Sequence, residues 1–212
     1  MNTNLRKNLL KAAVAVAVAA PLFANADSAF TTSGASPYTA AAHLDFAITI
    51  PKFLFLQVGA GTSMAANATI NQIAFTVPAA NVGDASLISA SATSGDLGNG
   101  VVTARVIGNN GAITFSSLTV GALSNGSGDS ISYAQIKTTV NTNTSTTALS
   151  HPTLTDGGPG TSVALTPNVG TKVTNLDAKW TYQYLNQNVV PPGTYGGVNA
   201  QNSRVTYTAS MP

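Results

Sequence analysis

The hydrophobic pattern is strongest between residues 44 and 58. In residues 44–50, large apolar side chains alternate with small or polar ones, and this period of two predicts a strand with one buried face. Residues 53–58 are apolar on both faces, which predicts a strand that is covered on both sides. Pro51 removes a backbone donor between them and indicates a bend, a bulge or a change of sheet. The alternating apolar residues are Leu44, Phe46, Ile48 and Ile50.

Shorter strand patterns follow, separated by turn residues such as Gly, Pro and Asn. Outside the first 26 residues no stretch has the 3.6-residue period of a helix, and the sequence contains no Glu. Short strands at close spacing predict an all-β fold, an antiparallel β-sandwich of about seven to nine strands. The predicted strands lie within residues 73–77, 85–93, 101–120, 131–136, 163–165, 178–185 and 204–211.

Residues 101–120 predict a β-hairpin. Asn110-Gly111 is the strongest two-residue turn signal, because both central positions of a type I′ turn need positive φ. A turn at Asn109-Asn110 is the alternative. It shifts the pairing by two residues, so the same strand face stays apolar in either register.

The first 26 residues have the organisation of an export signal. Three basic residues are followed by an apolar stretch at 12–23 and by Ala-Asn-Ala at 24–26, which is a small-x-small cleavage site. The apolar stretch is short for a membrane span, and an uncleaved N-terminal anchor is the alternative. We expect a signal peptide at 1–26, an extended arm at 27–42 and a single β-sandwich domain at 43–212, with no membrane span after cleavage.

Removal of the signal changes the charge of the chain. The precursor has nine basic and seven acidic residues, but three basic residues lie in the signal and all seven acids are Asp beyond it. The mature chain therefore has a net charge of −1, which argues against a basic surface for nucleic acid or anionic lipid. The sequence has no Cys, which excludes disulfides and thiol chemistry.

Residue types that carry catalysis are few and scattered. His43 and His151 are the only histidines, no G-x-S-x-G nucleophile motif is present, and the Asp residues occur singly. The Asp-Gly stretches lack the alternating oxygen ligands of a calcium loop. We therefore expect a protein that is not an enzyme, with no catalytic, cofactor-binding or metal-binding residues, and we expect both histidines in surface or loop roles.

The strand at residues 178–185 raises a second functional class. Trp180, Tyr182 and Tyr184 share one face. Because exposed rings stack on sugars, these residues are the candidate glycan site of a secreted binding module. The residues between them are Lys, Thr and Gln, typical of a solvent face, and this favours burial of the three rings in the core instead.

The C-terminal third resembles the end of bacterial pilin-type subunits of the chaperone–usher kind. The matching stretches are W-T-Y-Q-Y at 180–184, P-P-G-T-Y-G-G at 191–197 and R-V-T-Y-T-A at 204–209. In those families a Gly-x-Tyr turn leads into a last strand of alternating apolar residues. The opening strand pattern and the export signal fit the same family. The chain departs from it by lacking the frequent disulfide, and the tyrosine usual just before the end comes earlier, at Tyr207.

The resemblance implies an incomplete immunoglobulin-like sandwich. In such subunits the N-terminal arm of the next copy supplies the missing strand by β-strand addition, which builds a head-to-tail homopolymer. It also implies a periplasmic chaperone and an outer-membrane usher as partners, and export through the periplasm to the cell surface. Residues 27–42 and 44–50 are both candidate donors, and 44–50 is equally a candidate first strand of its own domain. The candidate C-terminal edge strand comprises Val205, Tyr207 and Ala209.

The sequence thus predicts a non-enzymatic structural subunit of a surface filament or fimbria. A secreted, monomeric β-sandwich module that binds carbohydrate or mediates adhesion is the alternative.

Overall fold

The computed structural model of the chain describes residues 27–32, 34 and 36–212. The fold is all-β, with antiparallel sheets and two single turns of 3-10 helix at Ala79–Asn81 and Tyr133–Gln135. The predicted signal peptide lies outside the described residues. The strands are β1 (Leu54–Val58), β2 (Ile88–Ser89), β3 (Val101–Gly108), β4 (Ile113–Thr119), β5 (Leu123–Ser124), β6 (Ser130–Ile131), β7 (Ile136–Asn141), β8 (Gly158–Pro159), β9 (Val163–Leu165), β10 (Thr174–Tyr184) and β11 (Thr206–Ser210).

The larger sheet has β3 and β10 at its centre. β1 pairs with β3 on one side, and β10 pairs with β3 and, on its other side, with β7. β2 pairs with the end of β10, beyond the last residue of β3. Alternation in β3 sends Val102, Ala104 and Val106 to one face, where they are buried. This sheet therefore has β1 and β7 as its outer strands.

The second sheet has β4 at its centre. β11 pairs with β4 on one side, and the short strands β8 and β9 pair with it on the other. The residues of β4 alternate between buried and more exposed, and its buried face includes Ile113 and Phe115. A separate two-stranded ladder joins β5 to β6.

One hydrophobic core joins the two large sheets. Val106 of β3 and Trp180 of β10 belong to the same buried cluster as Phe115 of β4. Leu149, which lies outside any strand, is fully buried in this cluster, and its carbonyl oxygen accepts a 2.8 Å hydrogen bond from Trp180 Nε1. The polar atom of the largest core side chain is thereby satisfied.

The predicted hairpin at 101–120 is wrong. β3 and β4 lie where the two halves of the hairpin were expected, but β3 pairs with β1 and β10 whereas β4 pairs with β11, β8 and β9. The Asn-Gly turn therefore carries the chain from one sheet to the other. Val106 and Phe115 meet in the core from opposite sheets, which explains why both strands are apolar on their inner faces.

Residues 44–50 do not form the predicted half-buried strand. They belong to no strand or helix, and every residue of the segment is exposed. The strand predicted at 53–58 does form, as β1, although its side chains are mostly half-buried. The structure divides the chain between Ile50 and Pro51, whereas the sequence placed the start of the domain at residue 43.

Within the described residues, no helix has the length and apolar character needed to cross a membrane.

A candidate subunit interface

Among the described residues, the backbone groups on the outer edge of β1 have no pairing partner. Gly59, which continues the register of β1, donates its N–H to the Thr103 carbonyl at 2.7 Å. Hydrogen-bonded and non-hydrogen-bonded pairs alternate along an antiparallel ladder. The backbone N–H and C=O groups of Phe55 and Gln57 therefore point toward β3, as those of Gly59 do. The N–H and C=O groups of Leu54, Leu56 and Val58 consequently point away from β3, toward the open side of the sheet.

The outer edge of β11 is open in the same way. On the side of β4 away from β11, Gly160 donates its N–H to the Ser117 carbonyl at 3.0 Å. The backbone N–H and C=O of Ser117 therefore point away from β11. By alternation, β4 bonds to β11 through the residues on either side of Ser117, which pair with Thr206 and Thr208. The backbone groups of Tyr207 and Ala209 therefore point outward. Val205, the third predicted edge residue, precedes the strand and is half-buried.

The two edge strands share a set of half-buried apolar side chains. β1 and β11 belong to different sheets and approach one another closely. Five half-buried apolar side chains from the two strands and their ends pack against the core cluster and line what we call the groove. They are Leu56, Val58, Tyr207, Ala209 and Met211.

The two edge strands of the groove, β1 and β11, differ in charge from β7, the opposite outer strand of the larger sheet. β1 reads LFLQV and β11 reads TYTAS, neither with a charged residue, whereas β7 has Lys137 on its exposed face. Natural edge strands commonly use lysine to prevent pairing with another chain. The groove edges have no such protection.

Polar contacts close one end of the groove. The Asn109 side chain accepts from the Phe53 N–H at 2.9 Å and donates to the Pro51 carbonyl at 2.8 Å. Lys52 Nζ and Asn110 Nδ2 both donate to the Pro212 oxygen, the latter at 2.7 Å. These contacts join the start of β1 and the residues after β11 to the turn that connects β3 with β4. We call this arrangement the closed end.

A cavity of about 350 Å³ lies along β1. Its walls include Phe55 and Leu56 of the strand together with Met64 and the small residues of the loop that follows β1. Side chains from both faces of β1 line this cavity.

The segment 44–50 presents the side chains that such a groove would take. Leu44, Phe46, Ile48 and Ile50 have exposed fractions of 59%, 85%, 87% and 76%. Isolated exposed apolar residues are ordinary on protein surfaces, but four in a row at strand spacing are not. The rest of the predicted arm, residues 27–42, contributes only Phe30 and Tyr38 as large exposed apolar side chains.

The predicted aromatic row is buried. Trp180 is 0% exposed, and Tyr182 and Tyr184 are 7% and 6% exposed. Stacking on a sugar needs an accessible ring face, and these residues offer none in the described structure. Lys179, Thr181 and Gln183 lie between them along β10, as the alternation of the strand requires.

His151 lies in this aromatic core and not on the surface loop that the sequence suggested. Its Nε2 is 3.0 Å from the Tyr182 hydroxyl and 2.7 Å from the Tyr207 hydroxyl, and these two hydroxyls are 3.1 Å apart. The ring also meets Trp180 edge-on, with centroids 4.6 Å apart. Burial lowers the pKa of His151 to about 4, although a backbone hydrogen bond to Pro152 acts in the opposite direction. A neutral His151 thus connects β10 in one sheet with β11 in the other.

The other histidine, His43, is exposed in the arm, where its Nδ1 lies 3.0 Å from Asp27 Oδ2. Neither histidine is hydrogen-bonded to a serine, so the described residues assemble no Ser-His-Asp site. They also hold no group of three or more His, Cys, Asp or Glu side chains that would suit a metal ion.

The buried carboxylate of Asp177 has a structural role that the sequence did not reveal. It accepts hydrogen bonds from the Thr144 and Ser145 N–H groups, at 3.0 and 2.7 Å, and from the hydroxyls of both residues. Desolvation raises the pKa of Asp177, but these hydrogen bonds outweigh it and hold the pKa well below its usual range. The carboxylate fastens the loop after β7 to β10.

Comparison of the chain with protein-family models, with curated proteins and with solved structures gives no match in any of the three.

Proposed function

We propose that this chain is a non-enzymatic structural subunit of a cell-surface filament, and that its copies join head to tail by β-strand addition. In this proposal residues 44–50 of one copy pair with the open edge of β11 in the next copy and fill its groove. The observation that carries the proposal is the exposure of Leu44, Phe46, Ile48 and Ile50 at strand spacing in a chain with an open, uncharged edge.

The fold supports the same proposal. Two antiparallel sheets that share one core are the layers of a β-sandwich. An immunoglobulin-like sandwich that lacked its last strand would have an unpaired edge on the strand before it, as β11 has. The added strand would pair with the outer edge of β11, and the half-buried side chains of the groove would be its neighbours.

Residues 44–50 suit the donor role better than residues 27–42. Full burial of a Leu, Ile or Phe side chain is worth about 1.5–3 kcal/mol, so the four apolar residues supply about 6–12 kcal/mol before the cost of association. Residues 27–42 have only Phe30 and Tyr38 to bury. Asp45, Ala47 and Thr49 would face away from the groove, because successive side chains of a strand point to opposite faces.

The proposed partners follow from the open edges. An unprotected apolar edge is an aggregation hazard before assembly, so a periplasmic chaperone that covers the groove and an outer-membrane usher that releases it belong to the proposal. The cell-surface location rests on the export signal predicted from the sequence. The open-ended filament comes from a heterologous contact, which repeats without limit when its rotation does not close a ring.

Electron microscopy of the mature chain, residues 27–212, tests the proposal with a matched pair of variants. Ile48→Asp places a charge on the face that would enter the groove, whereas Thr49→Asp places it on the opposite face. Both residues are exposed in the free subunit, so both variants should fold as the wild type does. We expect filaments from wild type and Thr49→Asp and none from Ile48→Asp. A wild type that stays monomeric at all concentrations would refute the proposal.

A further inference from the structure

The proposed function requires the groove to take residues 44–50 of a second copy rather than those of the same chain. β1 begins at the same end of the groove at which β11 finishes, because Lys52 and Asn110 both contact Pro212 there. For residues 44–50 to enter the groove of their own chain, the chain would have to reverse between Ile50 and Leu54. A reversal of this kind needs a tight turn at residues 51–53.

Asn109 holds those residues in the line of β1. Its side chain bonds to the Phe53 N–H and to the Pro51 carbonyl, one on each side of Lys52. Phe53 lies opposite Asn109 if the β1–β3 register is continued by one residue. The side-chain amide thus extends the ladder of β1 backward, and a turn at 51–53 would break both of its hydrogen bonds.

The Lys52 side chain is a second obstacle. Its Nζ contacts the Pro212 oxygen, so the side chain reaches from the start of β1 to the residues after β11. A hairpin that placed the arm between β1 and β11 would have to pass through this contact. The same oxygen is also held by Asn110, which fixes the residues after β11 at the closed end.

We propose that Asn109 and the Lys52–Pro212 contact exclude the chain's own arm from the groove and thereby reserve it for residues 44–50 of a second copy. This inference rests on the proposed function. Residues 44–50 of the same chain and residues 44–50 of a second copy compete for one groove. The contacts of the closed end raise the free energy only of insertion by the same chain.

The double variant Asn109→Ala/Lys52→Ala tests this inference. Refolded mature chain is followed by sedimentation, and the arm is probed with a protease that cleaves before Asp45. The matched control is Asn168→Ala/Lys172→Ala, which removes the same residue types where both are exposed and no side-chain hydrogen bond is formed within the described part of the chain. We expect the control to polymerise as the wild type does, with a protease-sensitive arm in the remaining monomer.

In the double variant we expect the concentration needed for polymerisation to rise about tenfold, which is the effect of losing one or two net hydrogen bonds that oppose self-insertion. Its monomer should have a protected Asp45. Polymerisation like that of the wild type, with a cleavable arm, would overturn the inference while leaving the proposed function intact. A wild type that never polymerises would instead defeat the proposed function.

Asn109→Asp covers the case in which the double variant does not fold. The carboxylate keeps the acceptor for Phe53 but loses the donor to Pro51. A smaller shift in the same direction supports the inference, and no shift in a folded Asn109→Asp protein contradicts it.

Discussion

Acid should weaken the subunit through His151 before it affects the carboxylates. The buried imidazole has a pKa of about 4 in the folded chain, against 6.5 for an ordinary histidine. Between these values the unfolded chain binds a proton at this position and the folded chain does not. Stability from this group is therefore complete above pH 6.5 and is lost as the pH falls toward 4.

The magnitude follows from the two pKa values. Each pH unit between them is worth about 1.4 kcal/mol, so the free energy of unfolding should drop by about 3 kcal/mol between pH 7 and pH 4. For comparison, whole domains are stable by about 5–15 kcal/mol. The structural cause is burial, because a charged imidazole at this position would lose much of its hydration.

Urea unfolding at a series of pH values measures this loss. The variant His151→Gln keeps an acceptor but cannot titrate, so its stability should be lower at pH 7 and nearly constant down to pH 4.5. His43→Gln removes the other histidine, from the exposed arm, and should follow the wild type. If wild type and His151→Gln lose stability in parallel over this range, the assignment of the acid response to His151 is wrong.

Three further predictions concern the core, the loop after β7 and the packing of Met211. Trp180→Ala should lower the free energy of unfolding by about 3–5 kcal/mol in urea titration, because the ring is fully buried; an unchanged stability would contradict the core assignment. Asp177→Asn should cost about 1–3 kcal/mol at pH 7 and increase amide exchange in the loop after β7, since the nitrogen of an amide cannot accept the hydrogen bonds that a carboxylate oxygen accepts. The wild-type advantage should fade below about pH 4, where an unfolded carboxylate binds protons. Gly108→Ala should cost about 1–3 kcal/mol by the same titration, because its Cβ would lie 2.8 Å from Met211 Sδ and 2.9 Å from Ile113 Cδ1, and a neutral effect would show that both side chains move freely.

The sequence predicted the all-β class and its antiparallel sheets, because period-two alternation depends only on which face is buried. β10 and β11 lie within or across the stretches predicted for them, and the rings of Trp180 and Tyr182 are buried as the alternation favoured. The pattern does not specify the strand that pairs with each edge. This is why an Asn-Gly turn that links two sheets has the same sequence signature as a hairpin turn.

Residues 44–50 show a second limit of the alternation pattern. Alternation predicts that a segment can bury one face, but it does not specify what covers that face, and in this structure residues 44–50 are exposed. The core position of His151 was also hidden, since a His-Pro pair in a turn-rich stretch carries no signal of burial. The apolar residues Leu149 and Pro152 close to it in the sequence were the available hint, and in the structure both are almost fully buried.

The closed end could not be predicted at all. Lys52, Asn109 and Pro212 are far apart in sequence, and their side chains have no pattern that links them. Only the pairing of β1 with β3 and of β11 with β4 brings them to one place.

Cysteine cross-linking tests the central claim most directly. The natural sequence has no Cys, so introduced pairs are the only thiols. One copy carries Ala209→Cys on β11, and an isotopically labelled copy carries a cysteine at 44, 46, 48 or 50, with Ala47→Cys as the control. Neighbouring strands hold residues of one face within about 5 Å at Cβ, which is close enough for a disulfide.

In mixed filaments we predict disulfides between labelled and unlabelled copies from at least one of the four alternating positions, and none from Ala47→Cys. Cross-links that form equally well from Ala47→Cys, or that form only within single chains, would contradict strand addition between copies.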